Sequence, residues 1–152
     1  MKTLGIMQNQ WFKDPEWAKS LMQKYAERGK PRHIFIRDML FFSCFTGKKL
    51  LKTFGEDLCD YIIWEEVSPK ISSHSSSSFP PDIEHLKSIL KEHNPDVVIT
   101  FGKIAKNGLS NVSFTGTVIN CPHPAARGSG IDNMLIEAAT SLALMLNKIE
   151  VD

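Results

Sequence analysis

At 152 residues the chain is long enough for one domain with a single good core, and too short for two. Its formal net charge of +1 excludes a global basic field of the kind that gathers nucleic acid, so any DNA contact is expected to be local to one face, with nothing in the composition against a monomer. Cys44, Cys59 and Cys121 are odd in number and far apart, which excludes a disulfide framework and predicts reduced thiols in a cytoplasmic protein; no apolar run nears the ~18 residues of a membrane span, and Met1-Lys2-Thr3 leads into too brief an apolar stretch for a signal peptide.

Thr3 to Met7 reads as a first strand, ending in a cluster of amides and aromatics, Gln8-Asn9-Gln10-Trp11-Phe12. Asp14-Pro15 then opens a helix, with Asp as the cap and Pro at the first helical position; Trp17, Leu21 and Tyr25 form its apolar stripe and Gly29 its stop. In Pro31 to Ser43, the spacing of Ile36, Met39, Leu40 and Ser43 favours a helix over the strand that Ile34-Phe35-Ile36 also permits. Thr46-Gly47 is expected to cap a short helix through Leu50, Leu51 and Phe54, ending at Gly55. Tyr61-Ile62-Ile63-Trp64 reads as a second strand, followed by Glu65-Glu66. The serine-rich run from Ser72 to Pro81 predicts a mobile surface loop within one domain. Asp82 caps a helix carrying Ile83, Leu86, Ile89 and Leu90, stopped by Asn94-Pro95. Asp96 to Phe101 is the clearest buried strand, and Gly102 turns it straight into a helix from Lys103 to Leu109. Thr117-Val118-Ile119 predicts a short buried strand, which the prolines of Cys121-Pro122-His123-Pro124 must end. A last helix aligns Leu135, Ala138, Leu142, Met145 and Ile149.

Strands that alternate with helices predict a three-layer α/β/α sandwich over residues 1–152, with a short four-stranded parallel sheet near 3–7, 61–65, 96–101 and 117–121. Right-handed crossovers then gather Gln8 to Phe12, Glu66 to Phe79, Gly102-Lys103 and Pro122 to Gly130 at one edge, the carboxyl end of the strands, where ligands bind in such sheets.

Several chemistries are disfavoured. The five histidines show no local ligand spacing and there is no Cys-x2-Cys, so neither metal nor another cofactor is expected. The nucleophile elbow Gly-x-Ser-x-Gly, the dinucleotide fingerprint Gly-x-Gly-x-x-Gly and the Walker A pattern do not occur.

Taken in order, Met7-Gln8-Asn9-Gln10-Trp11, Thr46-Gly47-Lys48-Lys49-Leu50, Trp64-Glu65-Glu66-Val67-Ser68-Pro69, Ile99-Thr100-Phe101-Gly102-Lys103 and His123-Pro124-Ala125 resemble the motif blocks of the uracil-DNA glycosylase superfamily, in its small mismatch-specific branch. The resemblance spans nearly the whole chain. It departs from the family pattern where Met7 and Gln10 replace a Gly and a Pro, Ala125 replaces a Ser, and Glu66 replaces an Asn. It implies hydrolysis of an N-glycosidic bond to uracil or a related deaminated base in DNA. Asn9 would place the attacking water and His123 would donate to the base oxygen as charge develops there. Trp11 or Phe12 would stack on an extruded base, one of the two instead packing under the first helix, while Gln8 and Glu66 would meet the base edge. Lys103, Arg127 and the serine-rich loop at Ser76 would hold phosphates. Two other readings remain open: a catalytically silent relative that binds nucleic acid or a nucleotide, and a hydrolase of free nucleosides.

Overall fold

The computed structural model describes residues 1–42, 44–74 and 78–151, with side chains through residue 147. Four parallel strands, β1 (Thr3–Met7), β3 (Ile63–Glu66), β5 (Val97–Phe101) and β6 (Thr117–Cys121), form one sheet in the order β3-β1-β5-β6. Between and after them come α1 (Pro15–Glu27), α2 (Arg32–Phe42), α3 (Phe45–Phe54), α4 (Glu56–Tyr61), α5 (Ile83–His93), α6 (Lys103–Ser110) and α7 (Ile131–Val151). The two central strands, β1 and β5, are buried along their whole length. Their alternating side chains feed two cores. On one face Ile99, Phe101 and Trp64 pack with Ile36 of α2, Leu50 and Phe54 of α3, and Leu135 and Leu142 of α7. On the other, Leu4, Ile6 and Val98 pack with Leu86 and Ile89 of α5 and Ala105 and Leu109 of α6. The expected three-layer α/β/α sandwich with a four-stranded parallel sheet is therefore the observed fold.

Local chemistry sets most boundaries as expected. Asp14 accepts a hydrogen bond from the Trp17 N–H at 3.1 Å and Asp82 one from His85 at 3.0 Å, capping α1 and α5. Asn94, left-handed at φ 44°, closes α5. Residues 32–42 are helical, because Phe35 and Ile36 bury on a helix face.

Five local expectations are corrected. Thr46 and Gly47 do not cap α3 but lie buried inside its first turn, just after its start at Phe45. A Cβ on Gly47 would sit 1.8 Å from the Leu40 carbonyl oxygen, so its place is a close helix–helix approach. The second strand begins at Ile63, because Gly55 (φ 87°) turns the chain and the acidic first turn Glu56-Asp57 starts α4, which runs through Tyr61. Trp17, expected on the apolar stripe of α1, is 53% exposed, since this helix packs at the periphery and buries only Ala18 fully. β6 is not a buried strand: as a sheet edge it leaves Val118 41% exposed and buries only Cys121. Finally, the serine-rich segment does not start as loop. Ile71–Ser72 forms β4, which pairs in parallel with β2 (Gln10–Trp11), and Ser72 is buried.

Candidate functional site at the carboxyl edge of the sheet

The sheet register fixes how the candidate residues line up. Ile6 pairs with Thr100, and Thr100 with Asn120, so these three stand side by side across β1, β5 and β6. Asn9, Lys103 and His123 each lie three residues beyond that row. Thr100 Oγ1 donates to Asn120 Oδ1 across the strands, tying β5 to β6 just beneath the edge. Strands spaced ~4.8 Å apart put the ends of β1 and β6 about 10 Å from one another, with β5 between them.

His123 is held tightly. The chain leaves β6 through Pro122, and the Gly102 N–H donates to the Cys121 carbonyl at 2.9 Å. Gly102 has φ 96° and ψ 171°, a backbone state open in practice only to glycine, and a Cβ there would stand 3.2 Å from His123 Cβ. The imidazole Nδ1 accepts the Ala125 N–H at 3.0 Å and the His123 carbonyl accepts the Ala126 N–H at 2.9 Å. With Nδ1 an acceptor, the ring proton sits on Nε2. Burial lowers the pKa of His123 below the ordinary histidine value, so the ring is neutral at pH 7 and offers Nε2–H as a donor. Cys121, the nearest thiol in sequence, is pushed up to about 12 by burial and is no nucleophile at neutral pH.

Asn9 is also fixed. The loop after β1 and the chain after β3 are zipped by Val67 N–H to Met7 O at 2.9 Å, Ser68 N–H to Gln8 O at 3.2 Å and Phe12 N–H to Ser72 O at 2.9 Å. Asn9 Nδ2 donates to Gln10 O at 3.0 Å and Ser72 Oγ at 3.4 Å, while Oδ1 accepts the Phe79 N–H at 3.4 Å. Both amide hydrogens are thus engaged and one acceptor lone pair of Oδ1 remains. That lone pair can hold a water by one of its hydrogens and aim the water oxygen elsewhere. A cavity of about 330 Å³ lies beyond Phe79, between Phe79, Pro80 and Lys70, whose ammonium lies 5.5 Å above the Phe79 ring, and no candidate residue lines it. A cavity of about 650 Å³ near Asp96 and Gly116 lies at the other, amino end of β5 and β6 and holds none of the candidate residues.

The remaining candidates divide. Trp11 is 45% exposed and free to stack, whereas Phe12 lies 6.2 Å from Trp17 and 6.3 Å from Phe35, ring to ring, so it is the one that packs. Gln8 is half-buried between β1 and Asn9, bonded through its backbone to Ser68. Lys103 and Arg127 are exposed. Lys103 opens α6, whose N-terminus has no side-chain cap. Ser76 lies outside the described residues. Glu66 stands apart from the open face: it is 1% exposed, its Oε1 accepts from Arg32 Nη2 at 2.6 Å, and Arg32 also reaches the Pro69 carbonyl at 3.2 Å. Burial pushes its carboxyl up to about 8, against the opposing pull of Arg32. Sequence reading missed Arg32 because the partner of Glu66 stands 34 residues earlier and nothing local marks it. It also missed Ser72, hidden in a serine run, as the anchor of Asn9.

Among the described residues, no helix is long and apolar enough to cross a membrane. No protein-family model matches the chain, and no curated protein matches it.

Proposed function

We propose that the chain is a DNA glycosylase that hydrolyses the N-glycosidic bond of uracil or a related deaminated base, without a metal or redox group in the chemical step. The observation that carries this reading is the pinned tautomer of His123, whose Nδ1 accepts the Ala125 N–H and leaves Nε2–H as a donor beside the sheet edge. As the bond to the base breaks, negative charge gathers on the base oxygen, and a preorganised donor gains strength in step with that charge. On the opposite side, the free lone pair of Asn9 Oδ1 orients water toward the sugar carbon, where positive charge develops. An amide cannot take a proton, so Asn9 acts by position alone. Trp11 supplies a stacking face, and Gln8 has the donors and acceptor to read a base edge. The uncapped amino end of α6, with Lys103 beside it and Arg127 on the next loop, suits phosphates flanking an extruded nucleotide. Glu66 sits too deep to meet a base directly. In this scheme it holds the end of β3 through Arg32.

A second reading, a silent relative that binds nucleic acid or a nucleotide, is favoured by the three hydrogen bonds that make Asn9 a clamp between two loops. Base release from labelled oligonucleotides separates the two. The panel carries uracil, hypoxanthine, xanthine and mispaired thymine, single- and double-stranded, with alkaline cleavage at abasic sites. Release that Asn9→Ala and His123→Ala each lower by ~100-fold or more supports the glycosylase. Binding without release, unchanged by Asn9→Ala in folded protein, supports the silent relative. Turnover of free deoxyuridine with little salt dependence would indicate a nucleoside hydrolase instead.

A further inference from the structure

Away from that edge, on the outer flank of β3, three side chains from distant parts of the sequence converge. They are His33 from the first turn of α2, Glu65 from β3 and His93 from the last turn of α5. One ligating atom from each lies within 4.8 Å of the other two. We infer that His33, Glu65 and His93 bind a single divalent transition-metal ion of the zinc class.

Four observations carry this. The donor set of two imidazoles and one carboxylate is the one zinc takes with a water in the fourth place. The rings of His33 and His93 stand 5.0 Å apart, centre to centre, and two imidazoles bound to one tetrahedral ion at about 2.0–2.1 Å per bond have centres about 5 Å apart. Glu65 is 2% exposed; Oε2 lies 2.8 Å from His93 Nε2 while Oε1 has no hydrogen-bond partner among the described residues. A buried carboxylate with an idle oxygen is costly unless a cation or donor meets it. The local charge also suits a cation: Glu92 brings its Oε2 to 3.8 Å from His93 Nε2 beside Glu65, and the two nearby guanidinium groups, Arg32 and Arg37, are held by Glu66 and Asp38. His33 is half-buried, which gives an ion a route in from solvent. A bound ion would clip α2 to α5 across β3. The inference does not depend on the glycosylase reading.

The test is calorimetric titration of the full chain, stripped with a chelator, against zinc chloride. Cobalt(II) absorption reports the geometry, and circular dichroism confirms that each variant is folded. His33→Ala removes a ligand at a half-buried position, Glu65→Gln keeps the side-chain shape, and His74→Ala is the control. The expected result is one equivalent of zinc bound with micromolar or tighter affinity, visible cobalt bands of a four-coordinate nitrogen–oxygen site, and a melting temperature raised by zinc. His33→Ala and Glu65→Gln each weaken binding by ~10–100-fold or more, and His74→Ala leaves it alone. Absence of binding below ~100 μM, or binding that either ligand variant leaves unchanged, overturns the assignment and makes Glu65–His93 a plain buried hydrogen-bonded pair.

Discussion

The Ala125 N–H is a small group with a large effect, because it decides which nitrogen of His123 carries the proton. The proposed glycosylase chemistry then needs no imidazolium. The rate constant kcat/KM should stay level from pH 7 to 9, and a tenfold loss per pH unit above 6.5 would sink the neutral-donor scheme. Stability gives the complementary signature. The folded-state pKa of His123 lies below the unfolded value of about 6.5, so the unfolded chain binds the extra proton. The contribution is fully favourable above pH ~6.5 and is lost as pH falls toward the folded pKa. His123→Gln should flatten that part of the melting-temperature profile between pH 7 and 5. At Glu66 the sign of the problem reverses: with its carboxyl pushed up to about 8, it keeps its proton at pH 7 and depends on a hydrogen-bond partner more than on an opposite charge. Arg32→Met leaves that buried group without its donor and should cost about 1–3 kcal/mol, lowering the melting temperature by about 2–10 °C. Arg32→Met with Glu66→Gln should recover part of that loss; calorimetry on the single and double variants checks it. His123 and Asn9 were marked out as candidates because each follows a strand within a block that resembles a family motif. Arg32 and Ser72 were not, because their value lies in a partner 34 or 63 residues away, and no pattern along the chain encodes that distance.

The β5–α6 junction is the element on which the edge turns. Gly102 provides a backbone state closed to other residues and the space that His123 occupies. Gly102→Ala should therefore cost about 1–3 kcal/mol in backbone strain. It should also lower the proposed glycosylase activity by more than the lost stability explains, since the new methyl crowds the His123 side chain; comparing kcat/KM well below the melting temperature isolates that second effect. The central strands were legible as apolar, β-branched runs, and the caps of α1 and α5 as Asp14 and Asp82. What sequence did not reveal follows from topology. Thr117-Val118-Ile119 has the same composition whether a strand lies inside or at the rim, and only the order β3-β1-β5-β6 puts it at the rim. Two-residue strands such as β2 and β4 carry too few residues for any periodicity, and α4 is one short turn hidden between a glycine and a strand.

At the scale of the whole molecule, a net charge of +1 limits how the proposed DNA substrate could be held. With Lys103 and Arg127 as the phosphate cations, the logarithm of duplex affinity should fall with the logarithm of salt at a slope near −2, about −0.9 for each neutralised phosphate. Lys103→Gln should bring the slope about one unit closer to zero without altering base preference, as anisotropy titrations at several salt concentrations would read. The strand order has a further consequence during synthesis. β1 is made before both of its neighbours in the sheet, β3, where Leu4 meets Ile63, and β5, where Thr3 meets Val97. A ribosome adding about 5–20 residues per second leaves β1 without its second neighbour for roughly 5–20 s. Through that interval Leu4 and Ile6 are an uncovered apolar ribbon that Asn9 and the site can only follow into place. A nascent chain halted before Val97 should therefore be a client for holdase chaperones and an easy mark for proteases, and one released with α7 complete should be neither.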